Sequence, residues 1–175
     1  MKILYRAGQF WRLLTARPLT AVAQKDVQAQ LNLEEYLLFQ RYSVGDQWHG
    51  YRVMCMLREA GHSDGDLLTA ALLHDIGKTR VRFTAVERSI VSVISKVRPQ
   101  MVKRWEQLEL HQVKWWQRPF LVNAQHPAWS AEMALAAGST PRAVLLMKRH
   151  QDKLNDIVTE EDQLLFYLQW ADDQN

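Results

Sequence analysis

The stretch from Leu67 to Arg80, LLTAALLHDIGKTR, restricts the fold of this chain more than any other part of it. Its apolar residues predict a helix that carries adjacent His74 and Asp75 at its end and stops at Gly77. Neighbouring imidazole and carboxylate side chains at a helix terminus, followed by a basic segment, form one half of a metal site. We therefore ask whether the rest of the chain supplies the other half.

The hydrophobic period is helical along nearly the whole chain, and alternating strand patterns are hard to find. A chain of 175 residues is long enough to bury the core of one domain. Prolines are few, and we find neither Gly/Ser linkers nor internal repeats. We predict an all-α bundle of about seven to nine helices in one domain over residues 1–175. Within it, helices in residues 1–32 pack on a metal-binding core in residues 33–175.

Start and stop signals place the individual helices. We predict helices over residues 3–15, 19–31, 32–41 with an Asn32/Glu35 cap, 46–61 with Asp46 as the cap, 85–96, 127–138, 140–150 and from 159 onward with a Thr159/Asp162 cap. The segment from Trp115 to Gln125 looks irregular, and Pro127 fits the first position of a helix. His126 is therefore expected at or beside an N-cap.

Two features of the N-terminus resemble a signal peptide, namely Lys2 and the Ala21-Val22-Ala23 triplet. Arg6 and Arg12 interrupt the segment that an exported protein would keep uncharged, so we do not predict export. The first helix is amphipathic, and such a helix either lies on a membrane surface or docks on its own domain. We favour docking on the domain.

Composition limits the class of protein further. The net charge of +3 and the pI near 9.1 suit a small anionic substrate but are too weak to indicate a specific nucleic acid. The single Cys55 cannot form an internal disulfide, which is typical of a reducing compartment, here the cytoplasm. No apolar run reaches the roughly 20 residues that cross a bilayer, so we predict no membrane partner.

The six histidines are placed informatively along the chain. Taken singly, a histidine on a helix is more often a core or surface residue than a metal ligand. The joint order is His, His-Asp, His, His, Asp, and every member falls at a predicted helix. These residues are His49, His74, Asp75, His126, His150 and Asp172. Imidazoles and carboxylates together suit divalent ions such as zinc, iron and manganese, and helical bundles hold metals in this way.

This order of residues resembles the HD superfamily of metal-dependent phosphohydrolases, of the single-domain HDIG type. The matching segments, which span about residues 33–175, are GDQWHGYRV, ALLHDIGK, QHPAWSAEMALAAG, LMKRHQD and LQWADDQN. HDIGK is the most specific of them. Gln151 departs from members that carry a paired His-His at this position, and the GYP motif of the cyclic-dinucleotide-cleaving members is absent. Single histidines at both later positions look more like symmetric diadenosine tetraphosphate hydrolases.

The resemblance implies a ligand set. His49, His74, Asp75 and Asp172 would hold one metal, and His126 and His150 would hold a second one with Asp75 as the bridge. It favours Asp172 over the neighbouring Asp173 as the ligand. Asp75 and Lys78 would be the catalytic residues, with Lys78 neutralising a phosphate oxygen. The expected cofactor is one or two divalent transition-metal ions (Fe, Mn, Zn, Ni or Co), with Mg as a further candidate.

The function implied is hydrolysis of a phosphoester or phosphoanhydride, with a nucleotide as the substrate, by water that the metal activates. The predicted partner is thus a small phosphorylated molecule. Two alternatives stay open: a di-iron oxygenase of the same fold, and a non-catalytic ligand-binding or regulatory module. Whether the chain forms a homodimer is also open.

Overall fold

The computed structural model describes residues 17–81, 105, 108 and 111–175. These residues form seven α-helices and no strand, in agreement with the predicted all-α fold. The helices are α1 Ala21–Gln30, α2 Leu33–Phe39, α3 Val44–Glu59, α4 Gly65–Leu73, α5 Arg118–Ala136, α6 Pro141–Arg149 and α7 Glu160–Asp173. A short 3-10 helix over Ile76–Arg80 follows α4.

The central helix α4 is buried from Leu67 to Leu73 without a break. It packs against α1, α3, α6 and α7, so it has no face left for solvent. This surrounding explains why its sequence is apolar in every direction rather than along one stripe. His74 and Asp75, which directly follow α4, are therefore buried as well.

Several helix starts were correctly predicted from their capping residues. Asn32 and Glu35 form a reciprocal capping box at α2, and Thr159 and Asp162 form another at α7. Thr140 caps α6 through its side-chain oxygen. These hydrogen bonds satisfy backbone N–H groups that a helix start leaves unpaired, and each joins residues only three positions apart, so the sequence alone predicts these three caps.

The predicted cap of α3 was wrong by three residues. Ser43, not Asp46, occupies the N-cap, and its hydroxyl accepts from the backbone N–H of Asp46 at 3.2 Å. The same hydroxyl donates to the Asp46 carboxylate at 2.7 Å. Asp46 therefore sits in the first turn, where a negative charge is favourable.

The predicted irregular segment from Trp115 to Gln125 was also wrong. Helix α5 starts at Arg118 and continues without interruption to Ala136, with Pro119 in its first turn. His126 and Pro127 consequently lie inside this helix and not at its start. Pro119, and not Pro127, occupies the first turn of α5.

The sequence predicted that Gly77 ends the central helix, and this prediction was wrong. Helix α4 already ends at Leu73, and Gly77 lies buried in the following 3-10 helix. A Cβ atom at residue 77 would overlap the backbone carbonyl oxygen of His126 and lie 2.8 Å from the backbone nitrogen of Ser130. The Gly77 N–H donates to the Ser130 hydroxyl at 2.9 Å, which fixes this contact. Glycine is thus required for close approach to α5.

The predicted helices over residues 3–15 and 85–96 lie outside the described residues, as does the docking of the first helix on the domain. The division of the chain into residues 1–32 and 33–175 stays a prediction. Within residues 17–81 and 111–175, no helix combines the length and the apolar character needed to span a lipid bilayer.

We expect Gly77→Ala to lower the free energy of unfolding by about 1–3 kcal/mol, because the added methyl group overpacks the contact with α5. Urea or thermal denaturation followed by circular dichroism measures the loss. Gly65→Ala is the matched control, since nothing lies within 4 Å of a Cβ at residue 65. Equal stability of the two variants would contradict the close contact.

Candidate metal centre

The first group of ligand atoms comes from three helices. His49 lies on α3, His74 is the C-cap of α4, and Asp172 lies near the end of α7. The Nε2 atom of His49 is 2.9 Å from Oδ1 of Asp172, and Nε2 of His74 is 3.6 Å from the same oxygen. Gly50 supports this arrangement, because a Cβ at residue 50 would lie 2.9 Å from the carbonyl oxygen of Leu72. Helices α3 and α4 can approach closely only without that side chain.

The second group of ligand atoms is fully enclosed. Asp75 follows α4, His126 lies on α5 and His150 is the C-cap of α6, and all three residues are buried. Oδ1 of Asp75 is 3.1 Å from Nε2 of His126 and 3.7 Å from Nε2 of His150, and the two nitrogens are 3.2 Å apart. Ligands that share one ion are about 3–3.5 Å apart, because their bonds to it measure about 2.0–2.2 Å.

The Asp75 carboxylate lies between the two groups. Its Oδ1 atom faces His126 and His150, whereas its Oδ2 atom is 3.7 Å from Nε2 of His74 and 4.0 Å from Nε2 of His49. Lys78, one turn of the 3-10 helix away, donates to Oδ2 at 2.5 Å. The Asp75 carboxylate therefore directs Oδ1 to the second group and Oδ2 to the first group. Oδ2 also accepts a hydrogen bond from the Lys78 ammonium group.

Three imidazoles are oriented by their own helices. The Nδ1 atom of His74 lies 3.0 Å from the carbonyl oxygen of Ala71, and that of His150 lies 2.7 Å from the carbonyl oxygen of Met147. A carbonyl partner requires Nδ1 to carry the proton. Each ring therefore turns its Nε2 atom toward the ligand groups, and this second-shell hydrogen bond is typical of metal-ligating histidines.

Pro127 contributes to the orientation of His126. Proline has no N–H, so inside α5 it leaves the carbonyl oxygen of Asn123 without its usual helical donor. The Nδ1 atom of His126 takes that position at 2.9 Å and also lies 3.1 Å from the carbonyl oxygen of Val122. The proline that looked like a helix start thus supplies the acceptor that turns His126 toward Asp75.

Two buried polar atoms indicate that the site is built for a ligand. Nε2 of His74 and Oδ1 of Asp75 have no hydrogen-bond partner among the described residues. Leaving such groups unpaired in a protein interior costs about 1–3 kcal/mol each. A divalent cation in the first group would satisfy the His74 nitrogen, and one in the second group would satisfy the Asp75 oxygen. The mixed imidazole and carboxylate donors suit such ions. The two groups of residues therefore fit one or two metal ions.

The charges of the site agree with that fit. Burial by itself lowers the pKa of His74, but the negative charges of Asp75 and Asp172 outweigh it and raise the pKa to about 9. Burial acts to raise the pKa of the Asp75 carboxyl, yet the positive charges of Lys78 and His74 hold it well below its usual range. Burial and the charge of His74 lower the pKa of His150 to about 3. A cation at His74 would replace a proton in a strongly negative environment.

The structure brings all six predicted ligand residues together, along with Lys78. It also separates the two candidate aspartates, because Asp172 faces His49 whereas Asp173 is exposed. Sequence reasoning missed Tyr42, whose buried hydroxyl has no hydrogen-bond partner among the described residues. Burial, and then the charge of Asp75, raises the pKa of Tyr42, so this hydroxyl lies near the site. No motif marked it.

Metal binding at the first group has to displace the proton that His74 holds. Between the ordinary histidine pKa of 6.5 and about 9, we expect the apparent affinity for Mn²⁺ to rise about tenfold per pH unit and then to level off. Calorimetric titration of chelator-treated protein, in buffers of different ionisation enthalpy, counts the released proton. An affinity independent of pH in this window would contradict the raised pKa.

The comparison with known families agrees with this geometry. A family model described as the HD domain matches residues 49–173, which is more than half of the chain. The match begins at His49 and ends one residue beyond Asp172, so it contains all six candidate ligand residues. No curated protein and no solved structure shows significant similarity to the chain. The chain belongs to the HD domain family and thereby to the HD superfamily of metal-dependent phosphohydrolases.

Proposed function

We propose that this protein hydrolyses a phosphoester or phosphoanhydride bond of a small molecule, and that the substrate is a nucleotide. The observation that carries the proposal is the Asp75 carboxylate, which presents Oδ1 to His126 and His150 and Oδ2 to His49 and His74. A carboxylate shared in this way suits two ions held close together, the arrangement used for in-line displacement at phosphorus.

The chemistry divides between the cofactor and the chain. Bound divalent metal supplies an activated water at neutral pH and polarises a phosphoryl oxygen. The chain's part is to hold six donors at ligand spacing, to keep Asp75 ionised, and to bring a positive charge to the substrate. Lys78 has the last role in our proposal, because its ammonium group reaches Oδ2 of Asp75 and is still partly exposed.

Three arginines among the described residues already have acidic partners outside the ligand groups. Arg142 pairs with Asp64, Asp66 and Glu160, and its links join α4, α6 and α7.

Arg149 pairs with Asp152 and Asp162. Arg80 pairs with Glu132 and lies over the ring of Trp129, 5.4 Å from its centroid. These arginines pair with carboxylates outside the ligand groups, whereas the partner of Lys78 is Asp75 itself, and this position supports Lys78 as the cation for the substrate.

The donor set also favours particular metals. Four imidazoles and two carboxylates suit Fe, Mn, Zn, Ni or Co better than Mg, which prefers an all-oxygen shell. The cytoplasm is the proposed location, since the single free Cys55 and a nucleotide substrate both suit a reducing interior.

We expect Asp75→Asn to lower kcat/KM by at least about 10²–10³-fold with the fold retained, because the neutral amide cannot hold both ligand groups at once. Metal-loaded protein is assayed for phosphate release against mononucleotides, dinucleoside polyphosphates and simple phosphate esters. Asp173→Asn is the matched control, since Asp173 is exposed one residue beyond the site, and it should keep full activity. Equal activity of both variants would contradict the proposal.

The same panel separates the alternatives. Full activity with a redox-inert metal such as Zn²⁺ would exclude the oxygenase, whose chemistry needs a metal that changes oxidation state. Binding of a nucleotide without turnover on any member of the panel would instead favour the non-catalytic module. Oxygen uptake that depends on iron would favour the oxygenase over our proposal.

A further inference from the structure

We propose that Gln151 is a further ligand of the second metal group, through its side-chain amide oxygen. The inference rests on the metal-binding part of the proposed function and not on the hydrolytic reaction. Gln151 directly follows the ligand residue His150 at the end of α6.

The distance supports a ligand role. The Nε2 atom of Gln151 is 3.4 Å from Nε2 of His126. This separation falls within the range that the other donors of the group show among themselves, from 3.1 Å for Asp75 to His126 up to 3.7 Å for Asp75 to His150. The end of the Gln151 side chain thus lies at ligand spacing from His126, a candidate ligand of the group.

The amide can present either of its two atoms to the group. A half-turn of the terminal amide exchanges Nε2 with Oε1 at nearly the same place. The His126 nitrogen accepts a hydrogen bond from the amide N–H when no ion is bound. An ion would instead attract the oxygen, because amide carbonyls coordinate divalent cations and amide nitrogens do not.

The turn that carries Gln151 is held from the far side. The Gln169 amide on α7 donates to the carbonyl oxygen of His150 at 3.1 Å and to that of Asp152 at 2.8 Å. These two hydrogen bonds flank Gln151 and restrict its backbone. Gln169 lies one helical turn before Asp172, so α7 supplies a ligand to the first group and a brace for the second.

A fourth donor changes the expected metal preference. Asp75, His126 and His150 offer one carboxylate and two imidazoles, and Gln151 adds a neutral oxygen. A neutral hard oxygen favours Mn²⁺ and Fe²⁺ over the softer four-coordinate Zn²⁺ sites. We therefore expect the second group to bind Mn²⁺ well, and to lose that preference when the amide is removed.

The test is a calorimetric titration of chelator-treated full-length protein with MnCl₂, with Mn²⁺ electron paramagnetic resonance to follow the bound ion. Gln151→Ala should weaken the second equivalent of Mn²⁺ by about 10–100-fold and leave the first unchanged. Gln151→His should restore binding but shift preference toward Zn²⁺. Gln169→Leu should weaken the second equivalent as well, because the turn loses its brace.

Asn155→Ala is the matched control, since it removes an exposed amide from the same loop and should change neither equivalent. Unchanged Mn²⁺ binding in Gln151→Ala, or a loss equal to that in Asn155→Ala, would overturn the ligand role. A change of KM without a change of Mn²⁺ affinity would do the same, because Gln151 would then contact only the substrate. Weakened Mn²⁺ binding supports the inference even if no phosphorylated substrate is turned over, so its failure is distinct from that of the proposed function.

Discussion

The site depends on the burial of two adjacent charged side chains at the end of a helix with no exposed face. His74 and Asp75 are almost fully enclosed, and each carries a polar atom that no described residue satisfies. Such burial is unfavourable unless charges compensate it. Lys78 and Asp172 compensate part of it, and a divalent cation would compensate the rest. The apolar helix and the metal centre are therefore two parts of one arrangement.

Helix ends serve as the supports of this centre. The last carbonyl groups of a helix have no intrahelical donor. His74 at the end of α4 and His150 at the end of α6 each donate a hydrogen bond from Nδ1 to one of these carbonyl oxygens. In α5 the same kind of acceptor arises in the middle of the helix, because Pro127 leaves the carbonyl of Asn123 open to His126. Each hydrogen bond satisfies the backbone and orients an imidazole at once.

Local sequence patterns predicted what local physics controls. The Asn32, Thr140 and Thr159 caps were correct, because a cap joins residues that are only three positions apart. The start of α5 was missed because no local cap marks it. Gln117, its N-cap, makes no side-chain cap hydrogen bond, and the helix is held instead by buried contacts of Phe120 and Leu121. The role of Gly77 was not predicted, because the residues that it contacts on α5, His126 and Ser130, are distant from it in the sequence.

The sequence by itself determined the helical fold and the family, and it predicted the six candidate ligand residues, because the hydrophobic period and the order of these residues can be read from the chain alone. Only the tertiary structure decided how those residues divide into two groups and that Asp75 faces both. It also decided that Asp172 rather than Asp173 points inward, and that Gln151 reaches His126. These outcomes depend on the angles at which five helix segments converge, and packing sets those angles over long distances in the chain.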